Sequence, residues 1–112
     1  MVEIRNFTPH SLTVLDAAGV PVSFPSLGVA RCSQSVEVVG LVDASSTSFS
    51  ISRQVISSVV TGLPEVQDGV RFVVSRLVAE ALRGQRDDLL IPGTLIRDDQ
   101  GKVVGCQGFS VL

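Results

Sequence analysis

Apolar and polar residues alternate over Ser11-Leu12-Thr13-Val14-Leu15, the period of a half-buried strand. Asp16-Ala17-Ala18-Gly19 then supplies turn chemistry, and Val20 to Phe24 returns as the partner of a hairpin. Pro21 and Pro25 mark that return strand as an edge strand or a short one, because proline donates no ladder hydrogen bond. Two further strand-like runs follow, Val29 to Cys32 and Val36 to Val42. Residues 43–60 are rich in Ser, Thr, Val and Ile, with Phe49, Ile51 and Val55 spaced among them. This β-prone but polar stretch reads as an extended arm or an irregular hairpin.

Gly62 to Gly69 is a loop, and Val70 to Ser75 begins as a strand. Arg76 to Arg83 is the one convincing helix, with Ser75 as its cap and Gly84 at the terminating position. Leu77, Val78, Ala81 and Leu82 form its apolar stripe, to be buried against a sheet. Thr94 to Arg97 and Lys102 to Cys106 make a last hairpin through Asp98-Asp99-Gln100-Gly101, and residues 108–112 close the chain. The expected fold is α+β: a mostly antiparallel sheet with one helix in the C-terminal half, in a single small domain spanning 1–112.

A chain of 112 residues buries roughly two-thirds of its unfolded surface and holds a core unaided. That core is aliphatic, since Trp and Tyr are absent and only five Phe are present. A net charge of −2 argues against nucleic-acid polymers and anionic membranes as partners. The cations are arginines apart from Lys102, and arginine grips carboxylates and phosphates through a planar fork. A genome that favours arginine codons explains the same bias. Cys32 and Cys106 match no metal spacing; they read as small buried hydrophobes, with a disulfide between them left open. Residues 1–6 hold no apolar run of the secretory kind, and no segment approaches the ~20 apolar residues of a membrane span, so an intracellular protein is expected.

Chemistry is sparse. His10 is the only histidine and stands without a second catalytic member, so a turn role with its imidazole bonded to backbone is the simpler reading. Arg76, Glu80 and Arg83 share one face of the helix, with Phe72 just ahead of it. That stripe is ordinarily a solvated face laced with ion pairs. Its sharper reading is a pocket wall in which Phe72 stacks a base, an arginine pairs with phosphate and Glu80 accepts ribose hydroxyls. Asp98-Asp99 is best explained as turn chemistry, and Asp87-Asp88 as partners for loop donors or nearby arginines. No phosphate-binding glycine loop, nucleophile elbow or zinc-protease motif occurs, so nothing assembles a nucleophile with a base.

Asn6-Phe7-Thr8-Pro9-His10-Ser11-Leu12-Thr13-Val14 resembles the opening of a group of small phage and prophage proteins. The Leu63-Pro64-Glu65 loop, the Val73-Val74-Ser75 strand end and the block from Arg86 to Phe109 are similar to that group as well. Among characterised families the chain most resembles the first-described Thoeris anti-defence proteins, over most of its length, with residues 43–60 the poorest match. The resemblance implies a non-enzymatic cytoplasmic protein of the infected host that sequesters cyclic ADP-ribose isomers. It implies homo-oligomers with a ligand pocket between protomers, some members also holding cyclic oligonucleotides, and no cofactor or metal. Carried over by motif, the ligand-binding candidates are Arg31, Phe72, Arg76, Glu80 and Arg97, with Asp98 beside it. The competing readings are a phage structural or assembly oligomer, and a hydrolase or lyase using His10 and Asp98.

Overall fold

The computed structural model describes residues 2–112, the side chains of Ile56 and Ser58 excepted. Eight strands and one helix follow in the order β1 (Glu3–Asn6), β2 (Leu12–Leu15), β3 (Pro21–Phe24), β4 (Arg31–Ala44), β5 (Thr47–Thr61), β6 (Val70–Val73), α1 (Arg76–Ala81), β7 (Leu89–Arg97) and β8 (Val103–Ser110). Six strands form one sheet in the order β1-β6-β7-β8-β2-β3, while β4 and β5 pair only with each other. The domain is β-rich with a single short helix, as expected. No helix of the described residues is long and apolar enough to cross a membrane.

The large sheet is mixed rather than mostly antiparallel. β1 with β6, β6 with β7 and β2 with β8 run parallel, whereas β2–β3 and β7–β8 are hairpins. The two hairpins are the pairs that turn chemistry encodes locally. Asp16 accepts the amides of Ala18 and Val20 at 2.8 and 2.9 Å, and Asp98 accepts those of Gln100 and Lys102, both at 2.9 Å. The parallel pairs join residues far apart in sequence and leave no local mark. β3 is four residues long and lies at the sheet edge, in keeping with Pro21 at its start and Pro25 just past its end.

α1 bridges the parallel strands β6 and β7. The Ser75 hydroxyl caps it by accepting the Val78 amide at 3.3 Å. The helix ends at Ala81, two residues earlier than its apolar pattern predicts, and Gly84 turns the chain at φ +79°. Val78, Ala79 and Leu82 are buried from this segment, against Phe72, Val74, Leu89 and Ile91. Phe7 meets Phe72 edge-on, with ring centroids 5.4 Å apart.

The arm is longer than the sequence pattern suggests. Residues 31–61 form one ribbon, closed by Ser45-Ser46 with both residues at positive φ, as a two-residue hairpin turn demands. Only its base touches the body: Cys32 and Val60 pack on the core, and α1 is the element it leans on. The molecule therefore measures 59 × 40 × 20 Å, with a radius of gyration of 18.0 Å. A compact chain of this length has a radius of about 13 Å.

Candidate functional site

The Asn6-to-His10 segment folds into a polar knot rather than a catalytic loop. Asn6 is 1% exposed, and its amide donates to the carbonyls of His10 and Phe24 at 2.8 and 3.0 Å. Its side-chain oxygen accepts from the Thr8 amide and hydroxyl at 2.9 and 2.6 Å. Every bonding capacity of that side chain is met, which is what burying an amide requires. His10 is a turn residue, as expected, but its carbonyl rather than its imidazole makes the contacts.

Asp88 takes a two-pronged bond from Arg86, Nε to Oδ1 at 2.9 Å and Nη2 to Oδ2 at 2.6 Å. The guanidinium also donates to the Pro64 carbonyl at 2.8 Å and lies 5.6 Å from the Phe72 ring centroid. Arg86 is thus spent on pinning the loop after Gly62 to the start of β7. Pairing Asp88 with a nearby arginine was one expectation for the Asp87-Asp88 doublet, and it is met.

Phe72 does not wall an open pocket. It is fully buried between Phe7 and Arg86, and its ring offers no face for a base to stack on. Its place on β6, where alternate residues point to the covered face of the sheet, decides this. Arg97 donates to the Gly101 carbonyl at 2.9 Å, and Asp98 holds the same turn, so both serve the β7–β8 hairpin. Arg76 and Glu80 pair across one helical turn at 3.1 Å, with side chains 71% and 40% exposed. Such a pair contributes only ~0.3–0.5 kcal/mol, so Arg76 exchanges partners readily.

Three clefts bear on ligand binding. An apolar one of about 370 Å³ lies between Ile4, Val14, Val22, Phe24 and Phe109, with Asp16 as its one charged residue. Another, about 320 Å³, contains Arg83 and Arg86, but Asp87 shares it and Arg86 is already paired. The third is a cleft of about 270 Å³ at the arm base, lined by Pro9, Val29 to Cys32, Gln34, Ser75, Leu77 and Val78. Arg31 is its only charged lining residue, and its guanidinium has no bond or ion pair among the described residues. Arg76 follows the lining residue Ser75 in sequence but is not among the lining residues, and its side chain is paired with Glu80. An anion meets the Arg31 guanidinium there without a carboxylate in the lining, which neither other cleft offers.

Gln34 and Ser75 are polar members of that cleft which sequence reasoning passed over. Ser75 was legible only as a helix cap; its oxygen accepts the Val78 amide, which leaves the hydroxyl hydrogen to donate outward. Of the predicted site residues the structure places Arg31 in this cleft and leaves Phe72, Arg76, Glu80, Arg97 and Asp98 outside its lining. Cys32 and Cys106 are both free thiols. Among the described residues no group of three or more His, Cys, Asp or Glu side chains is placed to hold a metal. No protein-family model, no curated protein and no solved structure matches the chain.

Proposed function

We propose that the protein is a phage anti-defence protein that binds a cyclic ADP-ribose-type nucleotide immune signal and sequesters it without cleaving it. The arm-base cleft carries the reading: the exposed Arg31 lines it with no carboxylate beside it, and the cap of the helix turn that bears Arg76, Ser75, lines it too. A pyrophosphate takes two-pronged bonds from such forks. Glu80, once Arg76 turns to phosphate, accepts ribose hydroxyls. The apolar wall of Pro9, Val29 and Leu77 supplies the dry face that a base needs, in place of Phe72. At about 270 Å³ the cleft falls just below the usual ~300–1000 Å³ of small-molecule sites, which suits a pocket completed by a second protomer in a homo-oligomer.

A sponge works by mass action: each protein molecule that binds the messenger removes one from the free pool, so affinity and slow release matter and a nucleophile does not. The test incubates the protein with cyclic ADP-ribose isomers, removes free nucleotide, then heats the protein and analyses what is released. Intact nucleotide in stoichiometric amount supports sequestration. Cleaved product points instead to the hydrolase reading, although no hydrogen bond joins His10 to Asp98 among the described residues. A phage structural or assembly role is the second reading, favoured by the projecting arm; it predicts no retained nucleotide.

A further inference from the structure

The six-stranded sheet curls until its two edges meet. β1 opens the strand order and β3 ends it, yet Asn6 on β1 bridges to Ser26 just past β3. The Leu27 amide donates to the Asn6 carbonyl at 2.9 Å, and the Asn6 side chain donates to the Phe24 carbonyl at 3.0 Å. Those bonds close the sheet into a barrel at one end only. Toward the β2–β3 turn, no ladder pair joins Ile4 on β1 to Val22 on β3 among the described residues. Small barrels fill their interior with side chains or hold one small ligand there.

The open end is the apolar cleft of about 370 Å³. That volume lies within the ~300–1000 Å³ of small-molecule sites, and barrel mouths are among the places where such sites form. Val14, 4% exposed, lines its depth, and Val22, 40% exposed, stands at its rim. Phe24 and Phe109 are half-buried and meet edge-on, with ring centroids 5.6 Å apart. Both rings line the cleft, so a third ring can pack on them in the same way.

Charge narrows the choice of ligand. The lining contains no Lys, Arg or His, and its one charged side chain is Asp16. The turn fixes this carboxylate: Oδ1 accepts the amides of Ala18 and Val20 at 2.8 and 2.9 Å. Oδ2 has no hydrogen-bond or ion-pair partner among the described residues. A fixed carboxylate at an apolar mouth repels phosphate and attracts ammonium. Phenyl rings add to that preference, since their faces draw cations. The selectivity is opposite in sign to that of the arm-base cleft, and it does not rest on the nucleotide reading.

We propose that the open end of the barrel binds a small aromatic amine, its ring packed on Phe24 and Phe109 and its ammonium paired with Asp16. A rigid ring is favoured over a flexible chain because less freedom is lost on binding.

Three probes of one shape test this on the full chain: 2-phenylethylamine, 2-phenylethanol and 3-phenylpropanoate, titrated at neutral pH and low salt with amide NMR as the readout. The amine is expected to bind with a Kd of ~0.1–3 mM, as suits a ligand of about nine heavy atoms. The amides of Val14, Val22, Phe24 and Phe109 should shift, while those of Arg31 and Val78 stay in place. The amine should bind ~3-fold tighter than the alcohol, the scale of an exposed ion pair, and ~10-fold tighter than the acid. Asp16→Asn keeps an oxygen for both turn amides and should erase these contrasts. If that variant loses the hairpin, raising salt to ~0.5 M on the wild type serves instead and should bring the three affinities together. Val22→Trp fills the mouth from an edge strand and should weaken the amine at least ~5-fold. No shift with any probe, equal affinity for amine and alcohol, tighter binding of the acid, contrasts that survive both Asp16→Asn and salt, or amine binding unaltered by Val22→Trp would overturn the proposal. Nucleotide binding, found or not found, changes none of these outcomes.

Discussion

Asp88→Ala leaves Arg86 half stranded beneath the loop that follows Gly62. Two charge-assisted bonds disappear, at 2.9 and 2.6 Å, from side chains only 14% and 7% exposed. At ~1.5–3 kcal/mol each they set a range of ~3–6 kcal/mol, and removing one member of a buried pair typically costs ~3–5 kcal/mol. Arg86 keeps its bond to the Pro64 carbonyl and its place near the Phe72 ring, which puts the loss at the low end. The expected cost is ~3 kcal/mol, a fall of ~2–3 M in the urea midpoint or ~12 °C in Tm for a domain of this size. Wild type and variant must be compared at one protein concentration, because self-association raises apparent stability. The double change Arg86→Met with Asp88→Leu removes both charges and should recover most of the loss, since a well-packed apolar replacement of a buried pair is often neutral. A loss below ~1 kcal/mol for Asp88→Ala, or a double variant no better than the single one, would refute the reasoning.

Asn6→Ala deletes a side chain that makes four bonds at 1% exposure and should lower stability by at least ~3 kcal/mol in urea titration, whereas a surface substitution such as Gln100→Ala shifts the midpoint little. Gly93→Ala drives a methyl group into the carbonyls of Gln107 and Gly108 on β8 and should cost at least ~2 kcal/mol, seen as a lower Tm. Phe72→Ala should destabilise by ~3–5 kcal/mol, as expected of a core side chain and not of an exposed stacking platform. Arg31→Ala should leave the urea midpoint unchanged while weakening nucleotide binding at least ~10-fold, and Arg97→Ala should alter neither by more than about two-fold.

Local chemistry was readable in the sequence and long-range pairing was not. Asp16 and Asp98 announced their hairpins because each carboxylate binds amides within four residues. Ser75 announced the helix start through its own bond to the Val78 amide, whereas Gly84 marked the end two residues too late, since the helix stops at Ala81 with Leu82 as its cap. β1 escaped notice, since Glu3 to Asn6 is held by parallel pairing to a strand more than sixty residues away. The arm was visible as β-prone, but its length depends on register across the Val38–Gly40 irregularity, which breaks the alternation that period-two reading relies on. Among the site residues, Arg31 lines the arm-base cleft and Arg76 does not, while Phe72 is buried rather than available to a ligand. A phenylalanine ahead of a polar helix stripe looks available to a ligand until β6 is seen to be covered by α1 on one side and Phe7 on another.

Isothermal titration of the wild type with cyclic ADP-ribose isomers, repeated with Arg31→Ala, tests the central claim most directly. The sequestration reading predicts saturable binding of one isomer with Kd below ~1 µM, intact nucleotide recovered afterwards, and affinity lost in the variant. No heat with any isomer, or equal affinity in the Arg31→Ala protein, would contradict it.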